Sequence, residues 1–150
     1  MVPGGFSRIL VGVDGSEASV EALREAQRLA VPFGAQLEAL ACWDYPQMRD
    51  GYLMMGIERF EENAGQILNQ SVAEAFGPER PGNVRTMLVQ GSARTSLIEA
   101  SKAADLLVVG RRGHGGFGGL LIGSVSSACV AYAHCPVLVV HTRAEDSNGF

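Results

Sequence analysis

The glycines between Gly110 and Gly123 are the residues with the clearest chemical meaning in this sequence. Of the fourteen positions from Gly110 to Gly123, both included, seven are glycine, and the segment follows an apolar run. Glycine lacks the Cβ that would keep a backbone away from a phosphate, and the free amides at a helix start favour an anion. Ordering such a segment costs about 0.5–1 kcal/mol per glycine, so a purely structural link is the weaker alternative. The composition predicts an anion site.

Three glycine patterns for phosphate binding can be compared by their spacing. A P-loop requires GxxxxGK[ST], and this sequence contains no Gly-Lys pair. The segment 113–118 does spell GxGxxG, but the dinucleotide pattern needs an acid about 20 residues later, and residues 138–143 contain none. The remaining interpretation uses Gly110 and Gly113 together with the start of a helix. The helix residues that would contribute backbone amides are Gly123, Ser124, Val125 and Ser126.

Asp14 is the carboxylate best placed for ligand binding, because it follows directly after the first apolar run. Ligands of parallel sheets bind at the carboxyl ends of strands, where Asp14 would accept hydrogen bonds and Gly12 and Val13 would contribute backbone. The alternative is a turn residue in Asp14-Gly15 that caps the next helix. The sequence favours the binding role without excluding the turn role.

Other chemistry is less well supported by the residue spacing. Cys129, His134, Cys135 and His141 form C-x4-H-C-x5-H, which is not an established metal spacing. The segment GSVSS lacks the GxSxG pattern of a nucleophilic serine. Cys42, Cys129 and Cys135 lie in apolar surroundings, which predicts reduced thiols rather than a disulfide framework. We expect no metal site and no catalytic nucleophile.

These residues must be positioned by alternating strands and helices. Strands are predicted at residues 7–13, 36–43, 84–89, 106–109 and 137–140, and helices at 16–33, 57–76, 93–104 and 124–133. Consecutive apolar residues in the strands indicate burial on both faces, so we predict an α/β fold with a five-stranded parallel sheet and helices on both sides. On the second helix either Ile67 or Leu68 completes the inner face. Residues 44–56 are predicted to form a mobile loop.

Composition restricts the class of protein. The chain has 150 residues, 47% of them hydrophobic, and a formal net charge of −4. This length predicts a single domain over residues 1–150, with an ordered core at 6–142 and a polar tail at 143–150. Scattered basic residues argue against a nucleic-acid partner, and no apolar run is long enough to span a membrane. Since the first residues also lack a cleavage pattern, we expect a cytoplasmic protein.

The sequence resembles a known protein family. Gly110-Arg-Arg-Gly113, nine further residues and Gly123-Ser124 match G-x2-G-x9-G-(S/T), the pattern of the nucleotide-binding branch of the universal stress protein family. ILVGVDGSE, ACWDYP, DLLVVGRRGHGG and CPVLVV are similar to further segments along nearly the whole chain. The resemblance implies a three-layer, doubly wound fold of the HUP type with strand order 3-2-1-4-5. It also implies a dimeric, ATP-binding protein of stress response or dormancy.

The resemblance assigns roles to individual residues. Asp14 matches the position that hydrogen-bonds the ribose or adenosine edge, and Cys42 matches the position that contacts adenine. Val109 and Gly110 would lie beside the nucleotide at the end of the fourth strand, and the phosphates would be held by Gly113, Gly123, Ser124, Val125 and Ser126. ATP is the expected ligand, with ADP or AMP as alternatives, and Mg²⁺ would arrive with the phosphates. Arg111 departs from the small residue common in the family, and it would either add charge to the phosphates or extend into solvent.

The function that these observations favour is a nucleotide-dependent switch with little or no turnover. The first alternative is a slow ATPase or nucleotidyl transferase that uses the same site, and the second is a nucleotide-independent dimeric interaction module. A regulatory protein partner is expected but not specified by the sequence. The apolar strand Val137–Val140 is a candidate sheet edge, so we predict a homodimer in which two such strands pair.

Overall fold

In the computed structural model, residues 6–44, 57–111 and 123–142 are described, and they form five strands and four helices. The strands are β1 (Arg8–Gly12), β2 (Gln36–Trp43), β3 (Val84–Gln90), β4 (Leu106–Gly110) and β5 (Val137–Val140). The helices are α1 (Glu17–Phe33), α2 (Ile57–Phe76), α3 (Ala93–Ala100) and α4 (Ser124–Tyr132). Every predicted element is present, and their ends differ from the predictions by a few residues at most. Residues 45–56 of the predicted loop and the tail at 143–150 lie outside the described residues.

The five strands form one parallel sheet with the order β3-β2-β1-β4-β5. This order confirms the predicted α/β architecture. β1 lies in the centre, where Val11 pairs with Ala39 of β2 on one side and with Val108 of β4 on the other. β3 and β5 are therefore the two edges of the sheet.

Helices cover both faces of the sheet and make it a three-layer structure. α1 and α2 pack over one face, where their apolar residues join Ile9, Val11 and Val108 in a single cluster. α3 and α4 pack over the other face, where Leu97 and Cys129 join Leu107 and Val109. Successive β4 residues thus point to opposite helical layers, as strand geometry requires.

Local sequence signals explain where α1 begins and ends. Ser16 is the N-cap, and its side chain accepts a hydrogen bond from the Ser19 amide at 3.2 Å. Gly34 ends the helix in the left-handed conformation, with φ at 65°, and the Ala35 amide bonds back to the Ala30 carbonyl. Pro32 lies in the last turn, close enough to the end for the helix to remain intact.

Two expectations about the helices are resolved by the structure. Leu68, not Ile67, completes the inner face of α2, since Leu68 is 3% exposed and Ile67 is 40% exposed. The third helix ends at Ala100 rather than near residue 104, and a short 3₁₀ turn follows it. The hydroxyl of Ser101 explains this early end: it donates to the Ile98 carbonyl at 2.6 Å and accepts from the His134 amide at 2.9 Å.

The amino-terminal edge of the sheet is tied together by Asp105, which precedes β4. Its Oδ2 atom accepts hydrogen bonds from the Ser7 amide and the Ser7 hydroxyl, both at 2.9 Å, and from the Arg8 amide at 3.0 Å. These bonds, chiefly that from the Ser7 amide, lower the pKa of Asp105.

Among the described residues, no helix has the length and apolar character needed to cross a membrane.

Candidate functional site

The carboxyl ends of β1 and β4 meet where the direction of winding reverses. β1 leads into α1 on one face of the sheet, and α4, which follows β4 in the chain, lies on the opposite face. A crevice outside the strand ends is expected at such a switch point, and ligands of open α/β sheets bind there. The residues predicted from the sequence to bind a nucleotide can be placed relative to this point.

Gly12 and Val13 form the end of the central strand. The Val13 amide donates to the Leu40 carbonyl at 2.9 Å, which holds the backbone against β2 for one residue beyond β1. A Cβ on Gly12 would lie 2.9 Å from Cδ1 of Leu97 and 3.5 Å from Cγ1 of Val109. Glycine at position 12 therefore allows α3 and β4 to approach the strand end closely.

Asp14 occupies the predicted edge and also takes part in a turn. Its Oδ1 atom accepts hydrogen bonds from the Ser16 amide at 2.9 Å and from the Ser16 hydroxyl at 2.5 Å. Ser16 is in turn the N-cap of α1, so the carboxylate supports the start of that helix. The Asp14 residue is exposed at the end of β1. Turn formation, the alternative weighed from the sequence, is thus part of what Asp14 does.

Cys42 lies at the end of β2 and is half-buried. Burial raises the pKa of its thiol, whereas a hydrogen bond with the Ser96 side chain of α3 lowers it, and burial has the larger effect. The thiol is consequently protonated at neutral pH and behaves as a weakly polar surface. The neighbouring Trp43 carbonyl accepts from the Gly91 amide at 2.8 Å, which holds the start of the β3–α3 connection at the same edge.

Gly110 is positioned by a close contact that the sequence did not reveal. A Cβ at this position would lie 2.7 Å from the Cβ of Ala18 and 2.9 Å from its carbonyl carbon, so the end of β4 touches the first turn of α1. The Gly110 carbonyl also accepts a hydrogen bond from the Ser126 hydroxyl of α4. Gly110 therefore joins both helices of the site, in addition to any contact with a ligand.

The start of α4 lies directly beside the end of β4. The Gly123 amide donates to the Arg111 carbonyl at 2.6 Å, and the first intrahelical bond runs from the Ser127 amide to the Gly123 carbonyl at 2.9 Å. The amides of the three residues between them belong to the first turn, which has no intrahelical acceptors. Of these residues, Ser124 is exposed, Val125 is half-buried and Ser126 is buried.

These contacts bring together most of the residues that the sequence singled out. At one edge of the sheet the structure places Gly12, Val13, Asp14, Cys42, Val109, Gly110, Gly123, Ser124, Val125 and Ser126. Gly113 and its neighbour His114 lie outside the described residues. We refer to the end of β4 and the first turn of α4, residues 110–111 and 123–126, as the phosphate cradle, after the ligand that the sequence predicts for them.

A metal site would need several histidine, cysteine or acidic side chains to lie close together. Over residues 6–44, 57–111 and 123–142, no group of three or more histidine, cysteine or acidic side chains is arranged to hold a metal ion. Cys129 is fully buried in the α3–α4 layer, as expected from its apolar surroundings. Burial raises the pKa of both Cys129 and Cys135, so these thiols are also protonated at neutral pH.

Comparison with known proteins places this chain and its fold in one family. A family model described as the universal stress protein family matches residues 5–141. The chain belongs to the universal stress protein family. The fold and the sequence pattern agree with this assignment over nearly the whole length.

Curated relatives of this universal stress protein come from bacteria and archaea. A universal stress protein of Mycolicibacterium smegmatis is 37% identical over 139 residues, which are 89% of this chain and 47% of the relative. Universal stress protein MJ0531 of Methanocaldococcus jannaschii is 30% identical over 143 residues, which are 90% of this chain and 82% of the relative. The chain thus spans about half the length of the first relative and most of the second.

A solved structure extends the comparison to a ligand complex. The crystal structure of a universal stress protein in complex with cAMP has a TM-score of 0.71 and 26% sequence identity, and it covers 93% of this chain and 99% of that chain. That relative binds an adenine nucleotide.

Sequence reasoning missed three residues of this universal stress protein that shape the site, and it missed the side-chain contact of a fourth, Ser126, which it had predicted only as a phosphate-binding residue. Ala18 and Leu97 set how closely the helices approach the strand ends, Ser96 bonds Cys42, and the hydroxyl of Ser126 bonds the Gly110 carbonyl. All four contacts join segments that are distant in the chain. Only the apolar periodicity of α1 and α3 hinted that Ala18 and Leu97 face the sheet.

Proposed function

We propose that this universal stress protein is an ATP-binding switch with little or no catalytic turnover. The observation that carries the proposal is the meeting of Asp14, Gly110 and the first turn of α4 at the switch point of the sheet. At the end of β1 this arrangement offers a carboxylate that can accept a hydrogen bond from a hydroxyl group. Beside the end of β4 it offers backbone amides. The cAMP complex of a relative supports an adenine nucleotide as the ligand.

The phosphates would lie in the phosphate cradle. The amides of Ser124, Val125 and Ser126 precede the first intrahelical bond of α4 and carry the positive end of its dipole. Gly123 has no side chain that would keep phosphate oxygens away from the backbone, and Gly110 lets the end of β4 lie against the first turn of α1. Any Mg²⁺ would be coordinated by the phosphates and would accompany the nucleotide.

The adenosine part would lie along the ends of β1 and β2. Asp14 is exposed there and its carboxylate is oriented by the hydrogen bonds from Ser16, which suits it to accept a hydrogen bond from a ribose hydroxyl. Val13 is held against Leu40, and the protonated thiol of Cys42 gives a weakly polar surface for the base.

Slow turnover follows from the kind of contacts that the phosphate cradle would make with the phosphates. The sequence contains no GxxxxGK[ST] segment, so the proposed contacts are backbone amides rather than a lysine that reaches the outer phosphates. Such contacts stabilise the bound nucleotide and its transition state about equally, which favours binding over catalysis. The bound nucleotide would act by changing the surface that the described residues at this edge, around Asp14 and the start of α4, present to a regulatory partner.

The direct test is to identify what co-purifies with the protein. We expect mass spectrometry of the denatured protein to release ATP or another adenine nucleotide, and calorimetry to detect ATP binding to the emptied protein. Gly123→Val should abolish binding because its side chain fills the cradle, whereas Gly82→Ala, at a position with open space around it, should bind normally. Finding no adenine nucleotide and no ATP binding would overturn the proposal.

We also propose that two copies of the chain pair through β5. This strand is one edge of the sheet, and Val137, Leu138 and Val139 are only half-buried within one chain. An apolar edge strand with unpaired backbone groups is a liability unless it is covered, and an antiparallel partner strand covers both the backbone and the side chains.

A further inference from the structure

We propose that Arg111 makes the phosphate cradle selective for the more highly charged adenine nucleotides, favouring ATP over AMP. This inference rests on the proposed function and specifies what decides the ligand of that site. From the sequence alone, Arg111 had two possible placements, beside the phosphates or in solvent. The backbone contacts and burial of Arg111 favour the first.

The backbone of Arg111 is held on both sides. Its amide donates to the Val140 carbonyl of β5 at 2.6 Å, and its carbonyl accepts from the Gly123 amide at 2.6 Å. Arg111 therefore lies between the last strand and the start of α4, next to Gly110. Neither bond can form if this residue moves away from the cradle.

The direction of the side chain follows from the alternation along β4. A Cβ on Gly110 would point at Ala18 of α1, and Val109 belongs to the cluster that contains Cys129 of α4. Arg111 is one residue beyond Gly110, so its side chain leaves the strand on the α4 side. Its Nε atom is buried, which is inconsistent with a guanidinium that extends fully into solvent.

The electrostatics of this position favour a highly charged anion. The first turn of α4 contains no acidic residue, and its N-cap is a glycine without a side chain. We place the guanidinium of Arg111 on the side of the positive end of the α4 dipole, so that both would attract the same anion. A polyphosphate would contact both, and the planar guanidinium matches phosphate oxygens with two parallel hydrogen bonds. AMP carries less charge and gains less from this residue.

The test compares nucleotides in matched variants by calorimetry. We expect wild-type protein to bind ATP more tightly than AMP. Arg111→Gln should weaken ATP binding about tenfold or more while changing AMP binding by less than about threefold. Arg28→Gln is the control, since this side chain on α1 is 76% exposed and pairs with the neighbouring Glu25. It should leave both affinities unchanged.

Several outcomes would overturn the inference. Equal loss of ATP and AMP binding in Arg111→Gln would assign Arg111 a structural role, and unchanged ATP binding would place its guanidinium in solvent. If urea unfolding shows that Arg111→Gln does not fold, the test uses Arg111→Lys and the wild-type preference for ATP over AMP. Equal wild-type affinities for the two nucleotides would refute the role of Arg111.

The inference can also be separated from the proposed function. If wild-type protein binds no adenine nucleotide, the proposed function fails, and inorganic tripolyphosphate becomes the probe. Binding of tripolyphosphate that is lost in Arg111→Gln but kept in Arg28→Gln would support the role of Arg111 as the charged residue of the cradle. Absence of binding, or equal binding by both variants, would contradict it.

Discussion

A Cβ on Gly110 would lie 2.7 Å from the Cβ of Ala18, a separation that real Cβ atoms do not adopt. The last residue of β4 and the first turn of α1 therefore touch, and the contact requires glycine. Asp14 and Ser16 immediately precede that turn, whereas the phosphate cradle begins at Gly110. Together with the pairing of β1 and β4, this contact sets the distance between the two halves of the proposed nucleotide site.

Gly110→Ala should destabilise the protein by about 1–3 kcal/mol, because the new methyl group meets the backbone of Ala18 and not a flexible side chain. Urea unfolding measures this loss. Gly82→Ala is the control, because nothing lies within 4 Å of the added Cβ, and it should be nearly neutral. Adding Ala18→Gly to Gly110→Ala should recover part of the loss, and no recovery would contradict the steric explanation.

Ser126→Ala should destabilise the protein by about 1–2 kcal/mol and weaken ATP binding. The variant removes the hydroxyl that donates to the Gly110 carbonyl, and the serine is 4% exposed, so this carbonyl loses a buried donor. The neighbouring Ser127 is exposed, and Ser127→Ala serves as the control. Equal effects of the two substitutions would show that the Ser126–Gly110 bond contributes nothing specific.

ATP should protect Cys42 from alkylation but leave Cys135 unprotected. Both thiols are half-buried and have raised pKa values, so both should react slowly with iodoacetamide at neutral pH. Cys42 lies at the carboxyl end of β2, within the proposed site. Cys135 precedes β5 and lies at the amino end of that strand, away from the proposed site. Mass spectrometry of the alkylated peptides gives both rates. Equal protection of the two thiols would argue against adenine at Cys42.

Asp105→Asn should reduce stability at neutral pH, and the difference from wild type should shrink in acid. Hydrogen bonds from Ser7 lower the pKa of Asp105 below its ordinary value of 3.8. A carboxyl whose pKa is lowered on folding stabilises the fold above the unfolded-state value, and this contribution is lost as the pH falls through the folded-state value. Urea unfolding from pH 7 down to about pH 3 tests this. Glu79→Gln, at an exposed turn, should show no such trend.

Val139→Lys should convert the proposed dimer into a monomer. Antiparallel pairing of two β5 strands brings the two copies of this residue near each other, so two lysines would repel. Met87→Lys is the matched control, because Met87 lies on β3, the opposite edge of the sheet, and is 38% exposed. Sedimentation equilibrium at micromolar concentration distinguishes the two states. A wild-type monomer under these conditions would refute pairing through β5.

The sequence predicted the fold more completely than the site. Buried parallel strands are continuous apolar runs, and helices have a different period, so both kinds of element could be located within a few residues. The choice between Ile67 and Leu68 could not be made, because adjacent positions on a helix border the same face. The contact of Gly110 with Ala18 was also out of reach, since it depends on how β4 packs against a helix from the start of the chain.

The two roles of Asp14 illustrate the same limit. Its position after β1 predicted a place at the ligand edge, and the Asp14-Gly15 pair predicted a turn. The structure shows the turn, through the hydrogen bonds from Ser16, at that edge. Binding to a ribose stays a prediction, as do the roles of Cys42 and of the cradle amides.

The central place of β1 in the sheet has a consequence for synthesis of the chain on the ribosome. The first three strands to emerge can pair as β3-β2-β1, but the other edge of β1 stays open until β4 emerges, because Ile9 pairs with Leu106. Asp14 is then already translated, while its partners across the crevice are not. That edge of β1 is therefore covered only after β4 has been synthesised, and a nucleotide that contacts both Asp14 and the start of α4 could bind only later still.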